Sequence, residues 1–169
     1  MIYLSPYDPQ WPALFEKEKE LLLKSVGEYI VGIEHIGSTA IPKICAKPVI
    51  DIMMGVKQLD SVDREIIKRV ESIGHEYIKK YEETMPFRRF FQKDNSEGLR
   101  THRIHLVEIT NAFWQRHLLF RDYLRTHSDD AKRYERLKID LAKKFTDTNQ
   151  YANAKTDFCN QIYIKARAW

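Results

Sequence analysis

Apolar residues recur along this chain with two different periods, and the switch between them marks out its elements. From Pro12 to Val26 they fall at Leu14, Phe15, Leu21, Leu22 and Val26 with charges between, the spacing of one helical stripe. Val62 to Ile73 repeats that pattern, and Gly74 supplies a stop. Between the two helices lie short apolar runs of strand length, Tyr29–Ile36 and Val49–Val56. Three further extended segments follow, Tyr77–Tyr81, Phe87–Lys93 and His102–Ile109, and the turn Asn95-Ser-Glu-Gly98 predicts that the last two form an antiparallel hairpin. From Ala112 onward the period is helical: Ala112–Thr126, Ser128–Phe145 with Ser128 as N-cap, and Gln150–Ala166. A sheet-forming half (1–110) followed by a helical half (111–169), with no linker, repeat or low-complexity tract, predicts a single α+β domain with a mixed sheet and flanking helices.

Composition narrows the class. A chain of 169 residues is long enough to bury around 70% of its unfolded surface as one domain. Hydrophobic and charged shares of 43% and 31% are ordinary for a globular protein. The longest apolar run is broken by Asp51, well short of the ~20 residues of a membrane span, so no membrane partner is expected. The start Met1-Ile-Tyr-Leu-Ser-Pro-Tyr-Asp lacks a leader pattern, and two isolated cysteines, Cys45 and Cys159, build neither a disulfide framework nor a zinc ribbon. Both point to a cytoplasmic location. A net charge of +4 suits an anionic ligand such as a nucleotide or RNA.

The chemistry concentrates in Glu34-His-Ile-Gly-Ser-Thr-Ala-Ile-Pro42 and Ala46-Lys-Pro-Val-Ile-Asp-Ile52. Gly37, Ser38 and Thr39 sit where a strand meets a helix start, and free N–H groups at such a junction suit phosphate. Ser38 either binds phosphate through its hydroxyl or caps the helix. Asp51 interrupts an apolar strand, where an unpartnered charge costs several kcal/mol, so something cationic should compensate it. Lys47 or an arginine is the structural candidate. His35 either meets phosphate or metal, or holds the turn by a hydrogen bond. Arg103 and His105 share one face of their strand, whereas His102, Ile104 and Glu108 share the other. His105 either lies across a cleft from Asp51, as metal ligand or general base, or is a satisfied core histidine. Arg88, Arg89, Lys93, Arg100 and Arg103 interleave with Phe87, Phe90 and Phe91, as an anion-binding patch or as the solvated face of a hairpin. His117, Arg121 and Arg125 line one helix face and either extend that patch or pair with nearby aspartates.

A Gly-Ser turn followed by an aspartate strand resembles the nucleotidyltransferase fold. More narrowly, Pro6–Trp11, Ile33–Pro42, Ala46–Asp51, Arg100–His105 and His117–Arg125, in that order, resemble the GrpB family, itself placed among nucleotidyltransferase-like proteins. The likeness runs from near residue 3 to near residue 166. It implies a turn that grips a nucleoside triphosphate, Asp51 holding Mg²⁺ or Mn²⁺, and Lys47, Arg89 and Arg103 meeting negative charge. Active nucleotidyltransferases usually carry two carboxylates two residues apart, and here the second place is Met53, a poor ligand for Mg²⁺. Three readings follow: nucleotidyl transfer to an unknown acceptor, a catalytically degenerate nucleotide- or RNA-binding module, and an accessory domain related to coenzyme A biosynthesis, since GrpB-like domains also occur fused to dephospho-CoA kinase.

Overall fold

The two faces of the sheet follow from the alternation along one strand. In the computed structural model, which describes residues 1–169, β2 (Ile50–Val56) sends Ile50, Ile52, Met54 and Val56 into the main core. That core is completed by Phe15, Leu22 and Val26 of α1 (Trp11–Val26) and Ile66 and Val70 of α2 (Asp63–Ser72). Asp51 and Met53 point the other way. There Met53 packs with Ile36 and Val107 beneath Phe113, Trp114 and Leu118 of α3 (Ala112–Thr126).

Around β2 the sheet has the order β1-β2-β5-β4-β3, with β1 Gly32–Ile36, β3 Glu76–Tyr77, β4 Arg88–Asp94 and β5 Arg100–Glu108. β2 and β5 are parallel and the other neighbours antiparallel, so the sheet is mixed as expected. The register places Asp51 beside Arg103 and Met53 beside His105. Gly55 falls in this apolar strand because the Trp114 indole lies on its backbone, where a Cβ would sit 2.8 Å from the ring. The hairpin turn forms as read, with the Asn95 side chain accepting from the N–H groups of Glu97 and Leu99.

The helical half continues with α4 (Ser128–Lys144), α5 (Thr148–Asn153) and α6 (Thr156–Arg167). Ile41 and Ile44 of the loop after β1 plug into a second core made by Tyr123, Leu124, Ala131, Tyr134, Ile162 and Ala166. That plug draws the loop against the helices and leaves a cleft between them and the first residues of β2 and β5. No helix is long and apolar enough to cross a membrane.

Five local expectations are corrected. The extended segment expected over Tyr77–Tyr81 is a two-residue strand, Glu76–Tyr77, followed by a 3₁₀ turn over Lys79–Glu82. The helix expected after Gly37 is a single 3₁₀ turn, Ser38–Ala40; Ile41, placed before Pro42, is extended as proline demands of its predecessor. The first strand begins only at Gly32, after a 3₁₀ turn over Gly27–Tyr29. Ser128 is the first residue of α4 and makes no capping bond, the preceding His127 occupying the cap position. The C-terminal helix expected as one piece is broken between Asn153 and Thr156. Asp147 starts the short α5 by accepting from the N–H groups of Asn149 and Gln150, and the break that follows turns Lys155 toward the cleft.

Candidate functional site

The turn after β1 is held from both sides. Gly37 has φ 75°, and a Cβ there would lie 2.6 Å from Asp51 Oδ2, so glycine is required by backbone conformation and by the approach of the carboxylate. On the α1 side the Thr39 hydroxyl donates to the Val49 carbonyl (3.2 Å) and accepts from His35 Nε2 (2.9 Å). The His35 ring stacks on Phe15, 4.9 Å between centroids. Burial depresses its pKa to about 4, against the opposing pull of Asp51, so this imidazole is neutral near pH 7. On the outer side Arg121 donates to the His35 carbonyl (3.0 Å) and pairs with Glu34 (2.6 Å), while Arg125 donates to the Ala40 carbonyl (2.9 Å). The turn's own bonds, Ala40 N–H to Gly37 and Ile41 N–H to Ser38, do not use the N–H groups of Ser38 and Thr39. His35 is therefore a brace on the face opposite Asp51 and not a metal ligand; pleat alternation separates it from the carboxylate.

Asp51 forms the floor of a cleft of about 130 Å³. Around it stand Arg103 from the neighbouring strand, Lys47 from the loop entering β2, Lys138 from α4 and Lys155 from the break after α5. Tyr134 and Tyr151 close the helical side. The Tyr134 hydroxyl lies 3.3 Å from Ser38 Oγ, and its ring carries the Lys138 ammonium 4.8 Å from the centroid. Lys155 and Lys47 both lie over the Tyr151 ring, at 4.5 and 5.3 Å. Lys138 also donates to the Cys45 carbonyl. Lys47, Arg103 and Lys155, by contrast, have no carboxylate in ion-pair contact. The Asp51 carboxylate has one basic side chain at such range, His105 Nε2 at 3.9 Å.

These groups perturb one another. Burial pulls the Lys47 pKa down to about 8, and repulsion from Arg103 and Lys155 adds to it against the attraction of Asp51. Burial likewise lowers Lys155, with Arg103 contributing. Burial alone would raise Asp51, but His105, Arg103 and Lys47 more than offset it and keep the carboxyl below its usual range. Cations that repel each other across a cleft with one carboxylate are an arrangement that an added anion relieves.

His105 is held in a defined state. Its Nδ1 lies 3.1 Å from Arg88 Nη1. A guanidinium only donates, so Nδ1 accepts and the proton of the neutral ring sits on Nε2, facing Asp51. Burial lowers the His105 pKa, opposed by Asp51 and reinforced by Arg88 and Arg103. Rings of Phe90 and Phe113 flank it at 5.2 and 5.7 Å. In this state the ring donates a hydrogen bond, and neither nitrogen has a lone pair free for a metal or a proton. Other carboxylates are elsewhere: Glu34 pairs with Arg121, and Glu108 accepts from Leu59 N–H (2.9 Å) on the far face. Met53 is fully buried, and no group of three or more His, Cys, Asp or Glu is arranged to hold a metal ion. The donors present do not fit a divalent-metal centre.

Of the residues singled out from sequence, the fold brings together Gly37, Ser38, Thr39, Lys47, Asp51, Arg103 and His105. Arg89 is excluded. It projects from β4 to the α2 side and pairs with Asp63 (3.0 Å), Asp60 (3.5 Å) and Glu82 (3.6 Å), because the pleat gives its neighbours Arg88 and Phe90 the face of His105. Arg121 and Arg125 brace the turn rather than extend the anion wall, Lys93 pairs with Glu18, and Arg100 pairs with Asp94. The sequence reading missed Tyr134, Lys138, Tyr151 and Lys155. A signal was present: tyrosine and lysine four residues apart, twice, both pairs ending at one cleft.

Comparisons with known proteins agree on the family. The family model described as GrpB protein matches residues 1–165. The chain is 39% identical over 164 residues to the UPF0157 protein YqkA of Bacillus subtilis, covering 96% of this chain but 46% of that relative, so it spans about half of YqkA's length. To the glutamate-rich protein GrpB of Alkalihalophilus pseudofirmus it is 36% identical, covering 95% of this chain and 93% of the relative. The crystal structure of GrpB from Enterococcus faecalis superimposes with a TM-score of 0.85 at 34% identity, covering 97% of this chain and 96% of that one. With the family model, a full-length relative and a solved structure all covering nearly the whole chain, the protein belongs to the GrpB family.

Proposed function

We propose that this protein binds a phosphate-bearing ligand of the nucleotide class in the cleft over Asp51. The observation that carries the proposal is the convergence of Lys47, Arg103 and Lys155, none with an ion-pair partner, on the turn that leaves the Ser38 and Thr39 N–H groups unused. On the other face of the sheet the withdrawn cations are paired, Lys93 with Glu18 and Arg89 with Asp63. Binding rests on protein donors rather than on Mg²⁺ or Mn²⁺, since the single carboxylate is ringed by cations and faced by an N–H. Isothermal calorimetry of ATP against the protein in EDTA is expected to give saturable binding. Replacing Arg103 or Lys155 by Ala is expected to weaken it by about tenfold or more, the value of a charge-assisted hydrogen bond. Unchanged affinity in both variants would remove the cleft as the site.

Nucleotidyl transfer is the second reading, favoured by the order of turn and Asp51 strand that resembles the nucleotidyltransferase fold. It requires release of pyrophosphate from a nucleoside triphosphate with Mg²⁺ or Mn²⁺ present, abolished in Asp51→Asn. Saturable binding without pyrophosphate release leaves the binding module as the function.

A further inference from the structure

Size, charge and the occupation of the aromatic rings narrow the ligand further, given the phosphate-binding role proposed above. The cleft of about 130 Å³ is of a size for one phosphoryl group and its ester oxygen. Sites that enclose a drug-sized ligand start near 300 Å³, so a base and ribose lie outside. Nothing inside could read a base by stacking. Tyr151 carries two ammonium groups over its ring, and Tyr134 is taken by Lys138 and by Phe158, stacked at 5.6 Å. Lys47, Arg103, Lys138 and Lys155 against the Asp51 carboxylate leave three positive charges. A phosphomonoester carries about −1.5 to −2 at pH 7, whereas a backbone diester carries one negative charge and offsets less of this excess.

We infer that the cleft is a terminal-phosphate site: it takes the phosphomonoester end of a small ligand and does not discriminate the group esterified to it. Internal phosphates of RNA, each with a single negative charge, are the poorer match.

The test is calorimetry with AMP, UMP, a hexose 6-phosphate and cyclic AMP on the wild-type protein, Lys155→Gln and Arg103→Lys, each variant first shown to melt cooperatively. The three monoesters are expected to bind within about threefold of one another, a difference below ~0.7 kcal/mol. Cyclic AMP should bind at least about tenfold more weakly, and each variant should weaken all monoesters by the same factor. A preference of more than about tenfold for AMP over UMP, or cyclic AMP binding as tightly as AMP, overturns the inference while leaving phosphate binding in place. Failure of every phosphate compound to bind overturns both.

Discussion

On the sheet face covered by α1 and α2, Glu18 receives His75 Nε2 at 2.6 Å and Lys93 Nζ at 2.9 Å, and Arg89 is met by Asp63. On the opposite face, Lys47, Arg103 and Lys155 stand near one carboxylate without pairing to it. Both sets are largely withdrawn from water, so the folded chain offsets desolvation on one side and leaves it uncompensated on the other. The first arrangement holds the fold together. The second costs stability and is ready for an anion.

Removing a partner on the paired face should have the largest effect on folding. Glu18→Gln strands Lys93 and His75, at roughly 3–5 kcal/mol, lowering the melting temperature by about 10 °C or more for a chain of this size. Scanning calorimetry reads it directly. Burial alone would raise the Glu18 carboxyl, but hydrogen bonds from His75 and Lys93 hold it down at about 2, below its ordinary 4.5. A depressed carboxylate contributes stability that is complete above 4.5 and lost as pH falls toward 2, so the wild-type melting temperature should drop across that window and the variant's should drop less.

Gly37→Ala comes next and touches both properties. With φ at 75° and a Cβ 2.6 Å from Asp51 Oδ2, the turn must shift, at about 1–3 kcal/mol. Phosphate affinity should fall with it. Normal binding in this variant, measured by calorimetry, would show that the turn is not part of the site.

Lys155→Met sharpens the contrast through its sign. The ligand-free protein should melt at the same temperature or higher, since a repelled cation is gone, while phosphate affinity falls about tenfold or more. If this variant destabilises the ligand-free chain as Glu18→Gln does, the distinction between the faces is lost.

A smaller effect is expected from pH on the open face. Lys47, depressed to about 8, loses its proton as pH rises through that value, and anion affinity should decline there. The unfolded chain holds this proton up to 10.5, so between 8 and 10.5 the unfolded state binds more protons and ligand-free stability rises with pH. Lys47→Met should flatten both trends. Smallest of all, Arg88→Met should change stability by about 1 kcal/mol or less, because its guanidinium has no carboxylate partner and its buried Nε no acceptor. It should nonetheless release the His105 tautomer, which ¹⁵N chemical shifts of the ring report.

How far each feature was legible depends on the range of the force behind it. The hairpin at Asn95–Gly98 and the start of α3, where Asn111 accepts from Phe113 N–H, were readable because a few adjacent residues make the turn or cap. Gly37, Ser38 and Asp51 stood out as a turn and a charge where apolar residues belong. Arg89 misled because a useful side chain in the right segment says nothing about the direction it takes once the register is set, and register likewise decided for the turn-holding alternative at His35. The broken C-terminal helix misled because its helical period runs on through Ala154 and Lys155.

The sequence by itself determined most of the elements, the apolar stripe of each helix and the pairing of Asp51 with Met53 on one side of β2, since backbone periods of 3.6 and 2.0 are local properties. Only the tertiary structure decided which charges would meet partners. Glu18 reaches Lys93 across 75 positions and Lys155 approaches Asp51 across more than a hundred. Such encounters depend on which helix lands on which face of the sheet, and that is settled by the summed packing of both cores rather than by any short stretch of chain.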